Sequence, residues 1–120
     1  MVPSWESYIA ALALTLAAEV PIYAVVLVRL YQRRLPAAVG SGILANLATH
    51  PVVWFVLLPV LEPRTGYAGY AIIAELFAWW AEWLLLYAWT RRFPRILLLT
   101  SLFANGSSVL VGWVLLWSPV

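Results

Sequence analysis

The stretch YIAALALTLAAEVPIYAVVLVRLYQRR, residues 8–34, decides the fold class. From Tyr8 to Val28 it holds a single acidic or basic residue, Glu19, and it then runs into Arg29, Arg33 and Arg34. About 20 apolar residues rising 1.5 Å each cross the roughly 30 Å of hydrocarbon in a bilayer, and an arginine cluster marks the cytoplasmic end of such a span. No basic leader precedes the run, which is also too long for a signal peptide, so it is expected to stay in the protein as a helix.

Three more apolar segments follow, at 39–60, 67–89 and 96–117, separated by connections at 32–38, 61–66 and 90–95 that each carry Pro or Gly and a charge. Connections this short make consecutive helices antiparallel neighbours. The expected fold is therefore an all-α integral membrane protein of four transmembrane helices, one domain over residues 1–120, built as two hairpins at about 8–60 and 67–117. With 65% hydrophobic residues, 10% charged and a mean hydropathy of +0.93, no stretch is polar enough for a water-soluble domain.

Arginine placement sets the expected topology. Arg29, Arg33 and Arg34 flank the first connection and Arg91, Arg92 and Arg95 the third, while the second has Arg64 beside Glu62 and the N-terminus has Glu6. Connections one and three are expected in the cytoplasm of a bacterial or archaeal plasma membrane, with both termini outside. Trp5, Tyr8, Tyr67, Tyr70 and Trp117 then fall in the outer aromatic belt, and Tyr31, Tyr87 and Trp89 in the inner one. Topology thus accounts for the basic balance of seven Arg over five Glu, and no nucleic-acid partner is implied.

The two hairpins read as copies of each other. Ala45-Asn46-Leu47-Ala48-Thr49, followed by Val52 and Trp54, aligns at a shift of 59 with Ala104-Asn105-Gly106-Ser107-Ser108, followed by Val111 and Trp113. Ala18-Glu19 and Tyr23-Ala24 match Ala81-Glu82 and Tyr87-Ala88 across a one-residue gap. A tandem duplication in this orientation implies a pseudo-twofold axis along the membrane normal, as in parallel-repeat transporters.

Ionisable residues deep in the spans are the functional signal. A charged side chain at mid-membrane costs about 2.5 to 3.5 kcal/mol to insert, so Glu19, Glu75 and Glu82 must be protonated, paired or turned to a wet interior. Helical spacing gives every span one polar stripe: Thr15 and Glu19; Asn46, Thr49 and His50; Glu75, Trp79 and Glu82; Ser101, Asn105, Ser108 and Gly112. If the stripes meet, Glu19, His50, Glu75 and Glu82 are candidates for binding a cation or carrying a proton, supported by Asn46, Thr49, Asn105 and Ser108. Their nitrogen and oxygen donors suit a divalent metal ion better than a soft one. Asn, Ser and Thr also serve simply as interhelical hydrogen-bonding groups, worth about 0.6 kcal/mol a contact.

Pro21 and Pro51 lie beside Glu19 and His50 and free the carbonyls of Ala17 and Leu47 for the polar centre. Trp80 and Trp83 are expected to point to lipid or a partner, and Gly40, Gly42, Ala45 and Ala48 offer a close-approach face. The chain lacks Cys, Asp and Lys and has one His. These absences remove disulfides, thiolate sites, bis-His haem within one chain and a Ser-His-Asp triad, and no nucleotide-binding loop occurs. The reading favours a small transporter or channel-like protein for a proton or divalent metal, working as a homo-oligomer. The alternatives are an accessory subunit of a larger energy-transducing membrane complex and an intramembrane metal-dependent enzyme.

Overall fold

A computed structural model describes residues 5–116, so Trp117 and its assigned place in the outer belt lie outside the described residues. Helix α1 spans Trp5–Arg29, α2 Leu35–Val52, α3 Leu58–Thr90 and α4 Pro94–Leu116. A π-helical segment, Val53–Leu57, joins α2 to α3 without a break. Three helical runs, Trp5–Arg29, Leu35–Thr90 and Pro94–Leu115, are long and apolar enough to cross a membrane.

The π segment follows Pro51, which has no amide hydrogen to return to the Leu47 carbonyl. The amide of Leu58 reaches to the carbonyl of Val53, five residues back. Pro21, by contrast, sits within an unbroken α1.

The middle run has 56 residues, which would measure about 84 Å if straight, whereas the molecule's longest dimension is 42 Å. The run doubles back at Gly66, whose φ of 75° and ψ of 174° lie in a region essentially restricted to glycine. Beyond the glycine, Tyr70 and Ala74 pack on Leu58, Leu57 and Trp54. The reversal is sharper than the irregular connection expected over 61–66. Residues 61–65 are helical, and the Thr65 hydroxyl donates to the Leu61 carbonyl at 2.8 Å, so one residue makes the turn.

At the opposite end, the segments around 30–34 and 91–93 are tied together. The Tyr31 hydroxyl donates to the Phe93 carbonyl at 2.6 Å, and the Arg33 guanidinium donates to the Thr90 carbonyl at 3.2 Å while lying 4.8 Å over the Trp89 ring. Gln32, Arg91 and Phe93 are the non-glycine residues with positive φ among the described residues, at 55°, 54° and 47°.

Helix α1 packs on α2 and α4, and α3 packs on α4 and on α2 with its π continuation. The apolar core forms two clusters. Tyr23, Leu27, Tyr31, Ala38, Leu86 and Leu97 fill the arginine-bearing end, and Leu58, Tyr70 and Ala74 the Gly66 end. Between them lie Glu19, Asn46, Thr49, Glu82, Ser101 and Asn105, all buried. Leu44, Ile72, Leu99, Phe103 and Trp113 face outward and are more than 60% exposed. This inverts the order of a water-soluble bundle, and it suits a surface bathed in hydrocarbon rather than water.

Two tryptophans differ from expectation. The Trp79 indole leaves the carboxylate stripe and donates to the Leu98 carbonyl at 2.8 Å. Trp83 donates to the Pro94 carbonyl at 2.9 Å and packs on the apolar core. An indole N–H in a dry environment needs an acceptor, and the backbone of α4 supplies both. Trp80 is exposed, as the sequence suggests.

Candidate functional site

The eight residues selected from the sequence, Glu19, Asn46, Thr49, His50, Glu75, Glu82, Asn105 and Ser108, all line one cavity of about 520 Å³. The cavity exists because the facing helices are narrow there: α3 presents Ala68, Ala71, Ala74 and Ala78, α1 presents Ala11 and α4 presents Gly112. It runs from the polar layer at Glu82 to Tyr67 and Trp113, towards the Gly66 end.

Glu82 is the hub. Its Oε1 accepts the Tyr23 hydroxyl at 2.6 Å and the Asn105 amide at 3.1 Å, and its Oε2 accepts the Thr49 hydroxyl at 2.9 Å. The donors come from α4, α2 and α1, so one carboxylate joins α3 to every other long helix. Three donors on a buried carboxylate satisfy both of its oxygens and fix its orientation. Further bonds fix the donors themselves. The Ser101 hydroxyl, which can accept from Tyr23 and Asn105, donates to the Trp79 carbonyl at 2.9 Å, and the other hydrogen of the Asn105 amide goes to the Ser101 carbonyl at 2.9 Å.

Glu19 is as deeply buried but less well satisfied. Its Oε2 accepts the Ser108 hydroxyl at 2.5 Å, while Oε1 has no donor among the described residues. The Asn46 amide, which the sequence alignment pairs with Asn105, donates to the Gly42 carbonyl at 3.0 Å and makes no bond to Glu19. Tyr87, the partner of Tyr23 in the alignment, stacks on Trp83 at 6.2 Å instead. One pair of bonds is exchanged between the halves: Thr49 of α2 donates to Glu82 of α3, and Ser108 of α4 donates to Glu19 of α1. Each of these carboxylates is held by the other half of the chain.

His50 is buried, with its Nε2 unpartnered, and its ring lies 5.1 Å from Tyr8 and 6.1 Å from Trp54. Glu75 is half-buried, two helical turns before Glu82, and makes no hydrogen bond among the described residues. Although all four expected ligands share the cavity, no three His or Glu side chains among the described residues are grouped closely enough to hold a metal ion.

The sequence reading missed Tyr23 as a member of the network, and Trp54, Tyr67, Tyr70 and Trp113 as cavity walls. Tyr23 lies one helical turn from Glu19, a spacing that places it on the polar face of α1. Compared with known protein families, curated proteins and solved structures, the chain matches none.

Proposed function

We propose that this chain is a small membrane transporter that takes up and releases protons at the Glu19 and Glu82 carboxyl pair. In this reading it crosses the membrane four times as two tandem hairpins, with the Arg29–Arg34 and Arg91–Arg95 end in the cytoplasm. The observation that carries the proposal is the unequal hydrogen bonding of the two carboxylates. Glu82 has three donors, whereas Glu19 has one donor and, among the described residues, an oxygen without a partner in a buried site. Two neighbouring carboxylates in a low-dielectric interior resist double ionisation, so a proton on Glu19 Oε1 both removes the repulsion and converts an unsatisfied acceptor into a donor. A proton is favoured over a divalent metal because the four candidate ligands do not converge.

The crossed Thr49–Glu82 and Ser108–Glu19 bonds support the tandem reading, since a twofold repeat exchanges one for the other. The cavity supports a transport role, because it connects the pair to the Gly66 end while Tyr23, Leu27, Leu86 and Leu97 fill the other. The test is dissipation of a pH gradient in proteoliposomes. Wild type is expected to collapse the gradient, and Glu19→Gln and Glu82→Gln to abolish the flux; undiminished flux in both variants would refute the proposal.

A second observation favours the accessory-subunit reading. An apolar groove of about 540 Å³ lies between α2 and α3, lined by Ala37, Gly40, Ser41, Leu44 and Ala48 with Leu85 and Trp89. Its small residues permit a neighbouring helix to approach closely. Gentle extraction followed by native mass spectrometry separates the readings: the transporter is expected alone or as copies of itself, the subunit only with other chains.

A further inference from the structure

The cavity is too large and too aromatic for a proton alone. A divalent ion with six waters occupies about 180 Å³ at roughly 30 Å³ per water, about a third of the 520 Å³ present. Pockets of about 300 to 1,000 Å³ are instead the size that encloses organic molecules. Glu19, Glu75 and Glu82 contribute acid groups to the lining, and no Arg or Lys does. Trp54, Tyr67, Tyr70 and Trp113 add aromatic wall. Two buried polar atoms in this lining, Glu19 Oε1 and His50 Nε2, have no hydrogen-bond partner among the described residues.

Acidic groups combined with aromatic faces recognise one ligand class better than any other. An organic cation is attracted to the carboxylates by charge and to the rings by their quadrupoles, while its hydrocarbon replaces water against Ala71, Ala74 and Ala78. The aromatic groups concentrate towards the Gly66 end, where Tyr67, Ile72, Val109 and Trp113 are exposed on an otherwise apolar surface. A lipophilic cation can therefore pass from the membrane to the carboxylates without crossing a polar barrier.

We infer that the cavity binds a lipophilic organic monocation, an aromatic or branched ammonium or phosphonium, in exchange for a proton. This rests on the transporter reading above and names the cargo of the same site. Glu75 makes the first charge contact, being half-buried on the path from the mouth to Glu82. The exchange balances charge: one cation enters the carboxylate cluster and one proton leaves it.

The test is isothermal titration of the full chain in lipid nanodiscs, with empty nanodiscs subtracted, using tetraphenylphosphonium and its near-isosteric anion tetraphenylborate. Repetition in two buffers of different ionisation enthalpy counts the protons released. Saturable phosphonium binding with about one proton released per cation is expected, with no saturable borate binding, and Glu75→Gln is expected to weaken the affinity about tenfold. Glu75 has no network to disrupt, so this variant should fold even where Glu82→Gln does not. Equal binding of the two probes, or unchanged phosphonium affinity in Glu75→Gln, would overturn the inference. Proton flux that depends on Glu19 and Glu82 without any phosphonium binding would overturn the cargo assignment alone, whereas binding without proton flux even with phosphonium supplied on one side of the vesicle would overturn the transporter reading.

Discussion

Glu19 and Glu82 follow alanines at matching places in the two halves of the chain and are equally buried, yet their surroundings differ threefold in donors. Both receive a hydroxyl from the opposite half, from Ser108 and Thr49 respectively. Only Glu82 gains a phenol and an amide as well. The difference arises from two side chains, since Asn46 bonds its own helix and Tyr87 stacks on Trp83, where Asn105 and Tyr23 turn inward. Matched positions therefore do not give matched surroundings. Two side-chain orientations are enough to give one carboxylate three donors and leave the other with one.

Replacing the hub should do the most damage. Glu82→Ala removes the acceptor of three buried donors and is expected to cost about 3 kcal/mol, against about 1 kcal/mol for Glu19→Ala, at roughly 1 kcal/mol per hydrogen bond. Reversible unfolding in mixed detergent measures both, and equal losses would dissolve the distinction between the two sites. Next is the junction of the halves. Gly66→Ala places a side chain in a glycine-only backbone region and is expected to destabilise by about 2 kcal/mol. Proteolysis of the folded protein in nanodiscs should then show increased cutting near residue 66, with resistance intact around the carboxylates.

Tyr23→Phe makes Glu82 more like Glu19, at an expected cost of about 1 kcal/mol. An infrared difference spectrum of the carboxylate stretch should show a shift assigned to Glu82, one that Tyr87→Phe does not produce. The smallest thermodynamic effect belongs to the topology that the comparison presupposes. Because the chain has no cysteine, Arg64→Cys and Arg92→Cys each give a single reporter. A membrane-impermeant maleimide applied to intact cells should label the first alone, with stability altered by less than about 0.5 kcal/mol. Labelling of both would end the four-crossing reading.

Much of the site was legible because membrane helices advertise polar side chains by contrast. Glu19, His50, Glu75 and Glu82 stand out in apolar runs, and helical spacing placed them on common faces with Asn46, Thr49, Asn105 and Ser108. Aromatic residues carry no such contrast. Tyr67 and Tyr70 read equally well as interfacial anchors, and Trp83 as a lipid-facing residue, since a ring's direction depends on which neighbour accepts its polar atom. The unequal donors on the two carboxylates were hidden for a related reason: they depend on bonds between residues 23 to 89 apart. Likewise Pro63 and Gly66 suggested a loop, but only the glycine interrupts the helix.

The tie at the arginine-bearing end has a consequence for how firmly that end is shut. Gln32, Arg91 and Phe93 adopt left-handed backbone there, at about 1 kcal/mol each for residues with a Cβ. The Tyr31 and Arg33 hydrogen bonds, with the contact to Trp89, return about as much. Arg33 Nε and Thr90 Oγ1 remain buried and unpartnered beside them. The hydrogen bonds that join the two connections therefore serve chiefly to hold a backbone shape that residues with a Cβ rarely adopt unaided.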